Sequence, residues 1–315
     1  MESPTLILAR GLFLEALEVA GRSRATLALY ARNLGEFETW LRANSHSLVA
    51  EEIETCHVRG FLLHLARRPK KAGHQYRTSP RGQLSPETIR GHYRTLSSFI
   101  NWCDREGILN GHDPMRNVGK PQPDHKEMTV LTDDEVRRFL DLLDKPSPQK
   151  RTLHLAFSLM WRLGLRVSEV CKLRLSDLHM EQGWVLARGK GRKQRRLPVT
   201  NGLGTMLEHY LTRVRPEFDK RRSDALLLSC VGKPLLPSSL RKSYKLYAKR
   251  AGVPGTPHSL RHSFATKAAR SGVNVLYLQK LLGHGSVSTT ERYFHNSFED
   301  LQREMDKLHF ESCSC

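Results

Sequence analysis

The stretch WVLARGKGRKQRRLPV, Trp184 to Val199, decides the fold. WVLAR and QRRLPV are strand-like, and GKGRK between them supplies a glycine-bounded turn. A β-hairpin is therefore expected, with Lys190 in its turn. Everything on either side of it reads as helix. The fold class that follows is mostly α, with a second half of α+β type carrying one small antiparallel sheet.

Upstream of the hairpin, TLHLAFSLMWRLG (152–164) is apolar on most faces and reads as a buried helix, with His154 and Trp161 in its core. Gly164 breaks it, and RVSEV (166–170) restarts a helix, which puts Arg166 near a helix N-terminus. A guanidinium and the positive end of a helix dipole together suit a phosphate oxygen. Before these, LTDDEVRRFLDLL (131–143) opens with Thr132 as a cap and acidic residues in the first turn, favourable against the positive helix end.

The first half of the chain reads as helices only. In SRATLALYARNLGEFETWL (23–41), Leu27, Tyr30, Leu34, Phe37 and Leu41 recur at steps of three and four and form one apolar stripe. A second helix is expected at VRGFLLHLARR (58–68). Ser85, Pro86 and Glu87 make a strong N-terminus for the helix that Gly107 closes. Residues 67–83 are basic and broken by Pro and Gly, so they read as a loop that either touches phosphates or stays solvated. GKPQPDHKEM, residues 119–128, has two prolines, a glycine and no apolar period, and is the expected linker. The expected division is 1–118, the linker, and 129–315.

Composition narrows the partner. Lys plus Arg is 51 against 32 for Asp plus Glu, a net charge of +19 over 315 residues. Such an excess points to a polyanion, DNA or RNA before an anionic membrane. No apolar run is long enough for a span, and the N-terminus lacks the pattern of a signal peptide. A cytoplasmic protein with free thiols is expected. The six cysteines form no CxxC pair, so neither a zinc ribbon nor a thioredoxin motif is expected. At the tail, a frayed terminus is a plainer reading of Cys313 and Cys315 than a metal site with His309.

Four corners of the second half carry reactive side chains: Arg166, Lys190 in the hairpin turn, His258 with Arg261 three residues on, and His284 between glycines, nine residues before Tyr293. Residues three apart share one helix face. Phosphoryl transfer needs such parts: cations for the equatorial oxygens, an in-line nucleophile, and an acid for the leaving oxygen. A tyrosine hydroxyl is a weak nucleophile until its proton leaves. Singly, each residue has a plainer reading; Tyr293 alone would be a packed aromatic. Together they form a pattern. His262 falls on a different side of its helix from Arg261 and reads as structural.

GLRVSEVCKLRLSDL, GKGRKQRRLPV, HSLRHSFAT and LLGHGSVSTTERYFH occur in the order and spacing of the tyrosine recombinase (phage integrase) family, which the second half resembles. TLALYARNLGEFETW and LSPETIRGHYRTLSSFINWCDREGIL resemble its helical, SAM-like core-binding domain. The chain is most similar to the compact Xer-like members. The family's usual Asn-Pro is His-Asp-Pro here, at 112–114, which alters a turn only.

The resemblance implies a site-specific recombinase acting on double-stranded DNA. Tyr293 would form a 3′-phosphotyrosyl link, and Arg166 and Arg261 would hold the non-bridging oxygens. His258 and His284 would complete the pocket, Lys190 would protonate the 5′-oxygen, and Glu169 would support Arg166. No cofactor and no metal are implied. A homotetramer on two DNA sites would exchange strands through a Holliday junction. Phe298, Leu301, Met305 and Leu308 form a stripe on an expected C-terminal helix, 297–310. That stripe packs either in cis or, as the family implies, in trans on a neighbouring subunit. A type IB topoisomerase-like nicking-closing enzyme is the alternative.

Overall fold

A computed structural model describes residues 4–69, 83–122, 128–189, 193–220, 222–283, 288–291 and 293. The chain divides into two compact units, Met1–Lys126 and Glu127–Cys315. No described helix is long and apolar enough to cross a membrane.

The first unit is helical: α1 (Leu6–Val19), α2 (Arg24–Ala43), α3 (Thr55–Arg67) and α4 (Pro86–Arg105). Side-chain caps start three of these. Thr5, Ser23 and Ser85 each accept from a backbone N–H in the first turn, satisfying a donor that the helix leaves open. The stripe on α2 works as its spacing predicts, with Leu34, Phe37 and Leu41 fully buried. They meet Phe13 of α1, Phe61 and Leu65 of α3, and Leu96 and Phe99 of α4. A Cβ on Gly60 would come within 2.9 Å of the Trp40 ring, so glycine sets how closely α3 approaches α2. His-Asp-Pro forms the turn expected of it: Asp113 Oδ1 accepts from the Met115 N–H at 2.9 Å, and His112 Nε2 lies 3.1 Å from the Ile53 carbonyl.

The second unit opens with α5 (Asp133–Asp141). Thr132 and Glu135 close a reciprocal capping box at its start. Next come α6 (Pro148–Leu163), α7 (Val167–Val170), β1 (Leu178–His179), β2 (Trp184–Arg188) and β3 (Gln194–Pro198). Then follow α8 (Asn201–His209), α9 (Pro237–Ala251), α10 (Pro257–Arg270), α11 (Val275–Leu282) and α12 (Ser288–Glu291). The sheet is antiparallel in the order β1-β2-β3, with Val185 opposite Leu197 and Ala187 opposite Arg195. The hairpin is present, closed at its base by the Gly189 N–H to the Lys193 carbonyl at 2.8 Å. β1 is an addition to the sequence reading; two residues are too few for a period to register.

α6 is the central helix, with Leu153, Leu155, Ala156, Phe157, Leu159, Met160 and Leu163 buried. Phe157, Phe139 and Tyr244 stack edge-on and tilted at 5.0 to 5.8 Å. Two residues of this helix depart from the expected core. His154 and Trp161 are only half-buried, and the Trp161 ring carries Arg162 and Lys267, each 5.6 Å from its centroid. Long cationic stems cover that ring in place of core side chains.

Candidate active site

The site is organised by Glu169, a carboxylate 4% exposed on α7. Arg166 is the N-cap of that helix. Its backbone N–H donates to Glu169 Oε2 at 2.9 Å, and its Nη1 donates to Oε1 at 2.8 Å. Arg195 on β3 adds two more bonds, Nη1 to Oε1 at 3.1 Å and Nη2 to Oε2 at 2.8 Å. Arg261 on α10 brings Nη1 to 3.8 Å from Oε2. Three guanidiniums therefore surround one carboxylate and leave a local excess of positive charge.

Helix ends supply the remaining acceptors. Arg261 donates to the Gly164 carbonyl at 2.5 Å and the Leu282 carbonyl at 2.7 Å. Arg195 Nε reaches the Leu281 carbonyl at 2.7 Å, and Arg166 Nη1 the Leu282 carbonyl at 3.4 Å. These carbonyls close α6 and α11, where a helix leaves acceptors unpaired and carries its negative dipole end. Gly164 and Gly283 terminate the two helices with φ of 62° and 64°. A Cβ at Gly164 would lie 2.5 Å from the Phe264 ring, so this break requires glycine twice over.

Burial alone would push the Glu169 carboxyl up, but hydrogen bonds and charge from Arg195 and then Arg166 hold it at about 2. Burial, reinforced by the Arg166 charge, brings Arg261 down to about 9, where it stays protonated at neutral pH. His258 stands in the first turn of α10. The protein packed on one side of it lowers its pKa below 6.5, and Arg261, Arg166 and Arg241 add to the effect. It is therefore neutral at pH 7.

Tyr293 sits in a turn just past α12 rather than on the helix itself, and is 4% exposed. Its ring packs with Ala265 of α10 and with Leu278 and Leu282 of α11. Its hydroxyl lies 2.7 Å from Nδ1 of His262. His262, expected to be structural, is therefore in contact with the tyrosine hydroxyl. The ring does fall on a different side of α10 from Arg261, and on that side it meets the tyrosine oxygen. His258 is one turn away, its ring centroid 6.2 Å from that of His262.

The structure brings together Arg166, Glu169, His258, Arg261 and Tyr293. Lys190, His284 and the C-terminal segment 297–310 lie outside the described residues. Sequence reading missed Arg195 and His262. A signal for Arg195 was present: it shares a strand face with Leu197, opposite Val185 and Ala187, so the alternation aims an arginine inward, where it needs an acid. For His262 the helical period alone gave no partner. Among the described residues no group of three His, Cys, Asp or Glu side chains is placed to hold a metal ion.

Residues 129–300 match the model of the phage integrase family. A tyrosine recombinase XerD of Listeria innocua is 32% identical over 279 residues, covering 87% of this chain and 89% of the relative. A tyrosine recombinase XerC of Neisseria meningitidis is 30% identical, covering 94% of this chain and 93% of the relative. In fold, the chain is similar to the Tn1549 transposon integrase in complex with a circular intermediate DNA. The TM-score is 0.74 at 18% identity, over 97% of this chain and 99% of that one. It is also similar to the XerH site-specific recombinase bound to its difH substrate, with a TM-score of 0.70 at 21% identity, over 90% of this chain and 80% of that one.

Proposed function

The chain belongs to the phage integrase family and is a tyrosine site-specific recombinase, and from that premise we propose how its own residues carry the reaction. Tyr293 Oη attacks a DNA phosphate and forms the 3′-phosphotyrosyl link. Arg166 and Arg261 bind the non-bridging oxygens, with His258 and His284 completing the pocket, and Lys190 protonates the 5′-oxygen as it leaves. Glu169 holds both arginines in place. Because the link conserves the phosphodiester, rejoining by the reverse attack needs no external energy source.

The observation that carries this reading is the arginine-rich cluster built on Glu169, which shares Leu282 with the tyrosine: Arg261 bonds its carbonyl and Tyr293 packs on its side chain. Fixed donors of this kind stabilise charge that develops in the transition state, and losing one costs about 10²–10³ in rate. The net charge of +19 supports duplex DNA as the substrate. On this reading residues 1–118 form the core-binding domain and 129–315 the catalytic domain, joined by 119–128. Four subunits pair two DNA sites in the cytoplasm and pass through a Holliday junction. The segment 297–310 docks in trans. Among the described residues nothing favours the nicking-closing alternative.

The test is a duplex nicked close to the cleavage point, which traps the covalent step. Wild type should accumulate a protein–DNA adduct that Tyr293→Phe does not form. Absence of the adduct from wild type, or its persistence in Tyr293→Phe, would overturn the assignment.

A further inference from the structure

A tyrosine that attacks phosphorus must lose its proton, and its burial decides what can take it. At 4% exposure the Tyr293 side chain has little access to solvent, so bulk water is a poor acceptor. Glu169 is no better. Both its oxygens are engaged by arginines, and the same contacts hold its carboxyl at about 2, too acidic to draw a proton from a phenol. The His262 ring lies on the hydroxyl, with Nδ1 at 2.7 Å from Oη, within the reach a general base needs.

We propose that His262 is a catalytic residue of this recombinase, receiving the Tyr293 hydroxyl proton on Nδ1 as the tyrosine attacks DNA. The proposal rests on Tyr293 being the nucleophile. With the ring's own proton on Nε2, Nδ1 presents a lone pair to the hydroxyl. The Oη–H bond breaks toward Nδ1, and the freed Oη electron pair forms the bond to phosphorus. The P–O5′ bond then breaks, and the 5′-oxygen takes a proton from Lys190. In rejoining, the 5′-hydroxyl attacks and gives its proton back to Lys190, and the imidazolium returns its proton to the departing Tyr293 oxygen.

The ring's surroundings favour that return. His262 follows Arg261 directly on α10, His258 lies one turn back, and Arg166, Glu169 and Arg195 form the adjoining cluster. The positive charge of these arginines repels an imidazolium, which favours handing the proton back to the tyrosine oxygen. Free phenol and free imidazole titrate near about 10 and about 6.5. That gap favours a transfer concerted with attack over a tyrosinate formed beforehand.

The experiment is single-turnover adduct formation on the nicked duplex by wild type, His262→Ala and His262→Gln, followed from neutral to alkaline pH, with DNA binding measured in parallel. Because the rest of the pocket also responds to pH, the ratio of variant to wild type is read rather than either profile alone. For His262→Ala the expected result is a loss of about 10²–10³ at neutral pH with DNA binding unchanged. The loss should shrink as pH approaches the tyrosine range and when imidazole is added to fill the vacated space. His262→Gln should stay slow, since an amide takes no proton. An equal loss at every pH with no imidazole rescue would make His262 a packing residue and overturn the proposal. Unchanged or faster cleavage would make it a restraint on Tyr293 and overturn it equally. If wild type itself forms no adduct, the fault lies with the nucleophile assignment.

Discussion

Two buried glutamates, one in each unit, meet opposite fates. Glu38 on α2 is 5% exposed and Glu169 on α7 is 4% exposed. Glu38 has one close cation, Arg10 at 2.8 Å, and its Oε1 is buried without a hydrogen-bond partner. Burial there outweighs the attraction of Arg10 and Arg42, and the carboxyl is pushed up. Glu169 has Arg166 and Arg195 bonded to both oxygens and Arg261 close by, and it is held at about 2. One guanidinium does not offset the desolvation of a carboxylate; a ring of them does. The second arrangement keeps a cationic cluster together without neutralising it, which is what a phosphate pocket requires.

The sharpest way to break this contrast is Glu169→Gln, which leaves the arginines facing one another. An uncompensated buried charge costs about 3–5 kcal/mol. Urea unfolding of the variant should show that loss, and adduct formation on nicked DNA should fall by about 10²–10³, because Arg166 and Arg261 lose their common anchor. Normal cleavage by Glu169→Gln would separate the carboxylate from the chemistry.

Acid should distinguish the two glutamates next. The folded pKa of Glu169 lies below its ordinary value of 4.5, so its stabilisation is full above pH 4.5 and is lost as pH falls toward about 2. That span corresponds to about 3 kcal/mol by linkage. Glu38 has the opposite sign. Its folded pKa is raised, so ionisation at neutral pH opposes folding, and the penalty fades as pH falls through that raised value. The destabilisation caused by Glu169→Gln should therefore shrink between pH 5 and pH 2, as measured by unfolding at each pH.

Arg195→Gln should rank third. It removes two hydrogen bonds to Glu169 and the bond to the Leu281 carbonyl but leaves Arg166 in place, a loss of about 2 kcal/mol in urea unfolding. The smallest effect belongs to Glu38→Gln, within about 1 kcal/mol in either direction. The Arg10 side chain, 27% exposed, turns to water once its partner is gone. A large loss at Glu38 would show that one arginine is enough after all.

Local order was legible wherever local chemistry determined it. Ser85 and Thr132 cap helices as their side chains predict, the stripe on α2 faces the core, and the hairpin forms between Trp184 and Pro198. Arg166, Glu169 and Arg261 came from motif order, and the fold brings them together. Less legible was everything set by distant partners. Arg195 lies 26 residues from Glu169, and His262 lies 31 from Tyr293, and only packing creates those bonds. A basic run such as GRKQRR reads as solvated charge, yet strand alternation turns one of its arginines inward. Trp161 looked like core because its helix is apolar, while its ring lies at the edge, under two cations.

Which atom becomes joined to DNA decides the matter most directly. Trapping the adduct on the nicked duplex, digesting protein and DNA, and sequencing the modified peptide by mass spectrometry identifies that atom. One nucleotide-bearing peptide should appear, modified at Tyr293 through a 3′-phosphate. A modification at any other tyrosine, or attachment through a 5′-phosphate, would contradict it.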